Sequence, residues 1–393
     1  MKKLSFSLLI LLTVSMHAQI DTEIYLFDLQ ESQNDQWVLS NPINISNNDG
    51  YDSQPHFYDD NTILFSSERN KYPDIRKYSI SNGKTSFINK TEQGGEYSPQ
   101  RIPNSNNVSA VRLDSDGKQA IYEYNYNSGD HKMLIEDFVV AYPTWYDKST
   151  LISSVIINDS LHLYKSDLKK GKNYLVAKES GRSIHKIPNT KLVSFTKKVG
   201  KSWEVWSLNP KSLKTEKIVN IGNNQDVCWL PNGTLLIASG TKLLQFSPKK
   251  DMTPTLFYEF KNKNIYNISR ITVNKNGTKL AMVAEKSPEA LAQEQLDAYN
   301  NRDIEAFLKP FANEVKIYTF PNTLDYVGKD EMRKRYGTKF KEVTDLNAHV
   351  TKRVVKGNVV IDEELVTANG RKFTAVAIYE MNNGKITSVR FIR

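Results

Sequence analysis

Near the C-terminus of this 393-residue chain, a lysine and a glutamate fall on a strand face that is otherwise apolar. Three strand-forming runs follow one another through tight turns at Gly357-Asn358, Asn369-Gly370 and Asn383-Gly384. Two-residue turns set the register of the strands they join. Thr374 is therefore expected opposite Leu365, Val376 opposite Glu363, Ile378 opposite Ile361, and Lys352 opposite Glu363. Simple alternation puts Val350, Val354, Val359, Ile361, Leu365, Val376, Ile378, Val389 and Phe391 on one inward face, with Glu363 among them. A charged pair there is either an ion pair reaching a rim or a polar anchor inside a ligand pocket. In a pocket, Glu363 would be the acid or base and Tyr299 or Tyr318 the hydrogen-bond donors, with Phe320, Ile378 and Phe391 as apolar wall. The opposite face carries Arg353, Asp362, Glu364 and Arg390 beside Phe373 and Tyr379, which reads as a solvated or interface surface.

Other chemistries find little support. No Gly-x-Ser-x-Gly nucleophile elbow occurs. His56, His131, His162 and His185 are scattered, without the spacing of a metal site, and are read as ordinary strand or loop residues. Cys228 lies in the apolar run Val227-Cys228-Trp229-Leu230 and reads as a small buried hydrophobe. The net charge of +9 is spread along the chain, and the densest basic run, Arg333-Lys334-Arg335, fits the wet face of a helix, so nucleic-acid binding is not expected. No metal or cofactor is expected.

The elements that must position these residues fall into two regimes. Anchors at Pro55, Pro99, Pro143, Ile184, Val227 and Ile271 recur at roughly 43 residues, each followed by an apolar strand and an aromatic-rich one. That period is the signature of a β-propeller. The last copy holds two strand-like runs, Arg270 to Val273 and Thr278 to Ala284. The missing pair is expected at the start of the chain, in Glu23 to Leu29 and Gln36 to Leu39. Five whole blades plus a sixth spliced from both ends would leave no open ring edge. The copies between residues 20 and 285 resemble the six-bladed propellers of the TolB family, on turns such as Leu230-Pro231-Asn232-Gly233 and the Tyr58-Asp59-Asp60-Asn61 that precedes the Phe65-Ser66-Ser67 strand.

After Glu285 the period becomes helical. Ser287-Pro288 caps a helix, Asp303 a second, and a third spans about Asp330 to Phe340, with a strand from Val315 to Phe320 and the three strands above. This order, the stretch Ala298 to Leu308, Val327-Gly328-Lys329-Asp330-Glu331-Met332 and the ending Asn383 to Phe391 resemble the NTF2-like superfamily in its SnoaL-like and ketosteroid-isomerase-like branch. The resemblance implies an α+β cone around a small apolar pocket, with an outer sheet face that often dimerises. Its isomerase residues do not carry over. The general-base position falls on Phe320 before Pro321, the oxyanion-hole tyrosine on Gln295, and the proton-donating aspartate at or beside Ala377.

The chain is thus expected to be multidomain: a removed signal peptide over 1–18, an all-β six-bladed propeller over 19–285, and an NTF2-like α+β cone over 286–393. Lys2-Lys3 followed by the apolar run Leu4 to Val14 supports export to the periplasm or beyond, and no segment is long enough to span a bilayer. The leading functional reading is a non-catalytic exported binding protein. Its propeller would face a protein or envelope partner, and its cone would hold a small apolar ligand or form a homodimer. The alternative is an enzyme acting on a small apolar substrate in the cone, and a carboxylate facing a roomy cavity would favour it.

Overall fold

The structure, a computed structural model, describes residues 20–31, 37–136 and 138–392. The expected signal peptide lies outside the described residues. Among them, six four-stranded antiparallel sheets and one six-stranded sheet account for the β structure.

Each four-stranded sheet is a propeller blade. The first runs through Asp52–Phe57, Thr62–Arg69, Tyr72–Ser79 and Thr85–Phe87 in spatial order. The second strand of each blade carries a run buried on both faces because neighbouring blades cover it from either side, as with Ile63, Leu64 and Phe65. The strands that begin the blades are Asp52–Phe57, Gly94–Arg101, Val140–Asp147, Ser180–Lys186, Val227–Trp229 and Tyr266–Val273, and each touches the next around a closed ring. All six sequence anchors lie on these innermost strands. Proline is accepted there because an inner edge has no further strand to receive its N–H.

The sixth blade is the splice that the sequence implies. Its order is Tyr266–Val273, Lys279–Glu285, Glu23–Glu31, Trp37–Asn44, with Ile24 opposite Val283 and Leu26 opposite Ala281. Indole N–H groups latch some blades together: Trp145 Nε1 donates to Ser109 Oγ and Trp229 Nε1 to Ser194 Oγ, each at 2.8 Å.

The cone begins with helix α1, Pro288–Asn301, where the Ser287 hydroxyl accepts from the Ala290 N–H and Pro288 occupies the first turn. Helix α2, Ile304–Leu308, is capped by Asp303, and α3 covers Lys329–Glu342. The six-stranded sheet is ordered Thr323–Val327, Phe311–Thr319, Lys385–Ile392, Arg371–Asn382, Val359–Ala368, Asn347–Lys356. The first of these was not anticipated from the sequence. Its burial is slight apart from Tyr326, so it carries no clear alternation. A single apolar cluster fills the cone and draws all its members from residues 291–391.

Cone and propeller meet through polar contacts. Lys385 Nζ lies 2.6 Å from Asp21, Lys309 Nζ 3.0 Å from Asp49, and Lys263 Nζ 2.6 Å from Glu289. The Asp21 N–H donates to the Asn383 carbonyl at 3.2 Å. Gly384 is required there, since an added Cβ would stand 2.5 Å from the Asp21 carbonyl oxygen and φ is +72°.

Candidate small-molecule site in the C-terminal cone

The strand registers expected from the turns are present: Lys352 pairs with Glu363, Glu363 with Val376, Ile361 with Ile378 and Leu365 with Thr374. The faces are the reverse of the expectation for the strands Val359–Ala368 and Arg371–Asn382. Asp362 and Glu364 point into the cone with Val360, Val366, Ala375, Ala377 and Tyr379, all buried, whereas Ile361 and Glu363 are exposed. Two physical facts explain the reversal. A bulge between Val350 and Lys352 changes which residues alternate inward, so Val350 packs on the core while Val354 is exposed. Asp362 is also paired, and pairing makes its burial tolerable. Arg353 donates from Nε and Nη2 to the two oxygens of Asp362, both at 2.7 Å, and from Nη1 to Gln293 at 2.8 Å.

The inward face opens on a cavity of about 220 Å³ between the sheet and helices α1 and α3. Its walls are apolar and aromatic: Leu296, Phe307, Phe311, Ile317, Met332 and Val389 among them. Polar groups converge at one place. Gln295 Nε2 donates to the Tyr379 hydroxyl at 2.9 Å and to the Ala292 carbonyl at 3.1 Å. The Tyr379 hydroxyl in turn donates to Glu364 Oε1 at 3.2 Å. Burial, reinforced by the nearby Asp362 charge, pushes the Glu364 carboxyl up to about 7. The same burial, with the Glu364 charge beside it, raises the Tyr379 phenol well above its ordinary value, so it remains a neutral donor. Lys339 Nζ stands over the rings of Tyr299 and Tyr336, at 5.4 and 5.8 Å from their centroids.

Of the residues singled out in the sequence, Tyr299 and Phe391 line this cavity. Tyr299 belongs to an aromatic cluster with Phe307, Tyr336 and Phe340. Tyr318 lies outside the cavity, under the Arg390 guanidinium at 5.0 Å, and Phe320 is exposed beyond its strand. Lys352, Glu363 and Ile378 lie on the sheet's outer face. Glu364, Tyr379 and Gln295 were missed as a group because an apolar-in rule assigns the face carrying Asp362 and Glu364 to solvent. The available signal was Tyr379, a large aromatic in register between Ala377 and Met381, with Val360 directly across the ladder.

Residues 292–389 match the family model of the SnoaL-like domain. Similar solved structures include a cystatin-fold protein from Novosphingobium aromaticivorans, 23% identical over 27% of this chain and 98% of that one, TM-score 0.26. An NTF2-like protein from Cytophaga hutchinsonii is 20% identical over 27% and 88% of the two chains, TM-score 0.24. The propeller is similar in fold to a TolB structure from Agrobacterium tumefaciens, 12% identical over 67% of this chain and 98% of that one, TM-score 0.53. No curated protein matches the chain. No helix among the described residues is long and apolar enough to cross a membrane.

Proposed function

We propose that the SnoaL-like cone takes up a small, predominantly apolar molecule and moves a proton on it, with Glu364 as the acid or base. The propeller serves as its exported, partner-facing scaffold. The observation that carries this reading is a carboxyl raised to about 7 on the wall of an apolar cavity of about 220 Å³. A group titrating near neutrality can both accept and return a proton at modest cost. Tyr379 donates its hydrogen bond to Glu364, and Gln295 holds the phenol in place from behind. A substrate oxygen entering beside Glu364 would find a donor in the protonated carboxyl, while the aromatic wall excludes water and strengthens the contact. The residues that implement steroid isomerisation elsewhere in the superfamily are absent from their positions, so any proton transfer relies on this chain's own pair.

Native mass spectrometry of the exported protein, exchanged into deuterated water, tests the reading. The parent should carry a small molecule that gains deuterium while bound. Ala375→Phe should fill the cavity and empty it of ligand, and Glu364→Gln should retain the ligand without exchange. A ligand kept by Ala375→Phe, or exchange undiminished in Glu364→Gln, would refute the assignment.

A second reading applies to the outer sheet face. Val354 and Ile361 are exposed there opposite each other, and Ile392 is exposed two strands from Ile361. An apolar face of this kind is the surface through which a homodimer would form, and sedimentation of Ile361→Lys beside the parent would report it.

A further inference from the structure

Inside the ring of innermost blade strands lies an axial cavity of about 320 Å³, lined by five of the six strands. Among the described residues four cationic side chains line it, Arg101, Arg182, Lys186 and Arg270, and no carboxylate does. These residues stand far apart in the sequence and meet because each blade delivers its first strand to the axis. His56 and His185, which read as unrelated in the sequence, line the same cavity from the first and fourth of these strands.

The cations are not equivalent. Asp226, behind the lining, receives two hydrogen bonds from Arg182, that from Nε at 3.0 Å. Arg101 is engaged by the carbonyls of Ser105 and Tyr58 and lies over the Tyr58 ring. Arg270 is different. Its guanidinium stacks over Tyr142 at 4.9 Å and its Nε only reaches 4.0 Å from Asp226, and its side chain donates no hydrogen bond among the described residues. Lys186 has no carboxylate within 4.0 Å among the described residues, and burial lowers its affinity for a proton. The cavity therefore holds positive charge with unspent donors, an arrangement that burial makes costly unless something answers it.

The backbone agrees. Gln54, Ser98 and Arg270 all have left-handed φ, at 59°, 51° and 49°, at bulges in three different blades, and all three line the cavity. Non-glycine residues adopt this conformation rarely, and bulges re-aim side chains. Its recurrence at the bulges of three inner strands turns residues of each toward the axis.

We propose that the axial cavity binds a small oxyanion, a carboxylate or phosphate group, held by Arg270 and Lys186 with Arg182 behind them. Guanidinium offers a planar pair of donors suited to either group, and Lys186 adds a point charge. His56 and His185, held neutral because burial pushes both down to about 4, would contribute N–H donors without adding to the charge. The site is distinct from the cone and stands or falls independently of Glu364.

Titration calorimetry on the full chain at low ionic strength, with citrate in one arm and inorganic phosphate in the other, tests the proposal. Saturable binding at one site per chain is expected in at least one arm, which then names the oxyanion. Arg270→Gln and Lys186→Gln should each weaken it at least about tenfold, the loss expected for one charge-assisted contact. Lys249→Gln, on the exposed surface, should leave it unchanged. Lys186 is exposed, so that variant reports even where Arg270→Gln fails to fold. Absence of saturable binding in both arms, or equal weakening by Lys249→Gln, would overturn the proposal.

Discussion

Glu364 and Glu363 are neighbours with opposite fates, and the contrast shows how little residue type alone decides. Glu363 stands in solvent, so Glu363→Gln should leave the melt unchanged. Glu364 is 7% exposed, and its carboxyl is raised from 4.5 to about 7. The folded chain thus holds its proton more tightly than the unfolded chain. The stability this confers is complete below about 4.5 and is lost as pH rises through about 7. Between those limits the parent should lose roughly 2–3 kcal/mol relative to Glu364→Gln, since each tenfold difference in proton affinity between the folded and unfolded chain is worth about 1.4 kcal/mol. Asp52, also raised to about 7 by burial, titrates alike in both proteins and cancels. Urea melts of the two proteins at pH 4.5, 6 and 8 measure the difference, and a constant gap would contradict the burial of this carboxyl.

At the scale of elements, what repeats was legible and what bends was not. The blade anchors, the spliced sixth blade and the caps Ser287 and Asp303 all follow from local patterns that the fold leaves intact. The strand registers of the cone follow from the turns, where Asn369, Gly370, Asn383 and Gly384 all have positive φ. Which face turns inward was not legible. It depends on a bulge before Lys352 and on an Arg353–Asp362 pair formed across strands, and neither leaves a mark on hydropathy. The axial cavity was hidden for a related reason, since its lining is assembled from short stretches of five blades that lie far apart in the sequence. The splice itself is open to test. Removing residues 24–39 strips the sixth blade of both outer strands and exposes Leu280, Met282 and their neighbours. Circular dichroism melts should then lose the parent's cooperative propeller transition, and an unchanged transition would show that the ring closes without it.

For the molecule as a whole, the two parts share ion pairs but no apolar core. The cone's cluster contains only its own residues, and the seam rests on Lys385–Asp21, Lys309–Asp49 and Lys263–Glu289. We expect residues 287–393, expressed alone, to be folded and soluble, with dispersed amide resonances; a collapsed spectrum would mean that the cone draws on the propeller. The spliced blade, meanwhile, imposes an order in time. The strand Glu23–Glu31 emerges from the ribosome before any other of the propeller, yet its inner partner, Lys279–Glu285, emerges last. Closing a loop of that length costs about 5 kcal/mol of chain entropy before a single rung of the ladder forms. Until then an apolar strand, paired on one edge with Trp37–Asn44, must wait with its other edge open and exposed to pairing with the wrong chain. Synthesis rate and chaperone capture of the N-terminal segment, more than the stability of any finished blade, should therefore govern how much of this protein reaches its folded form.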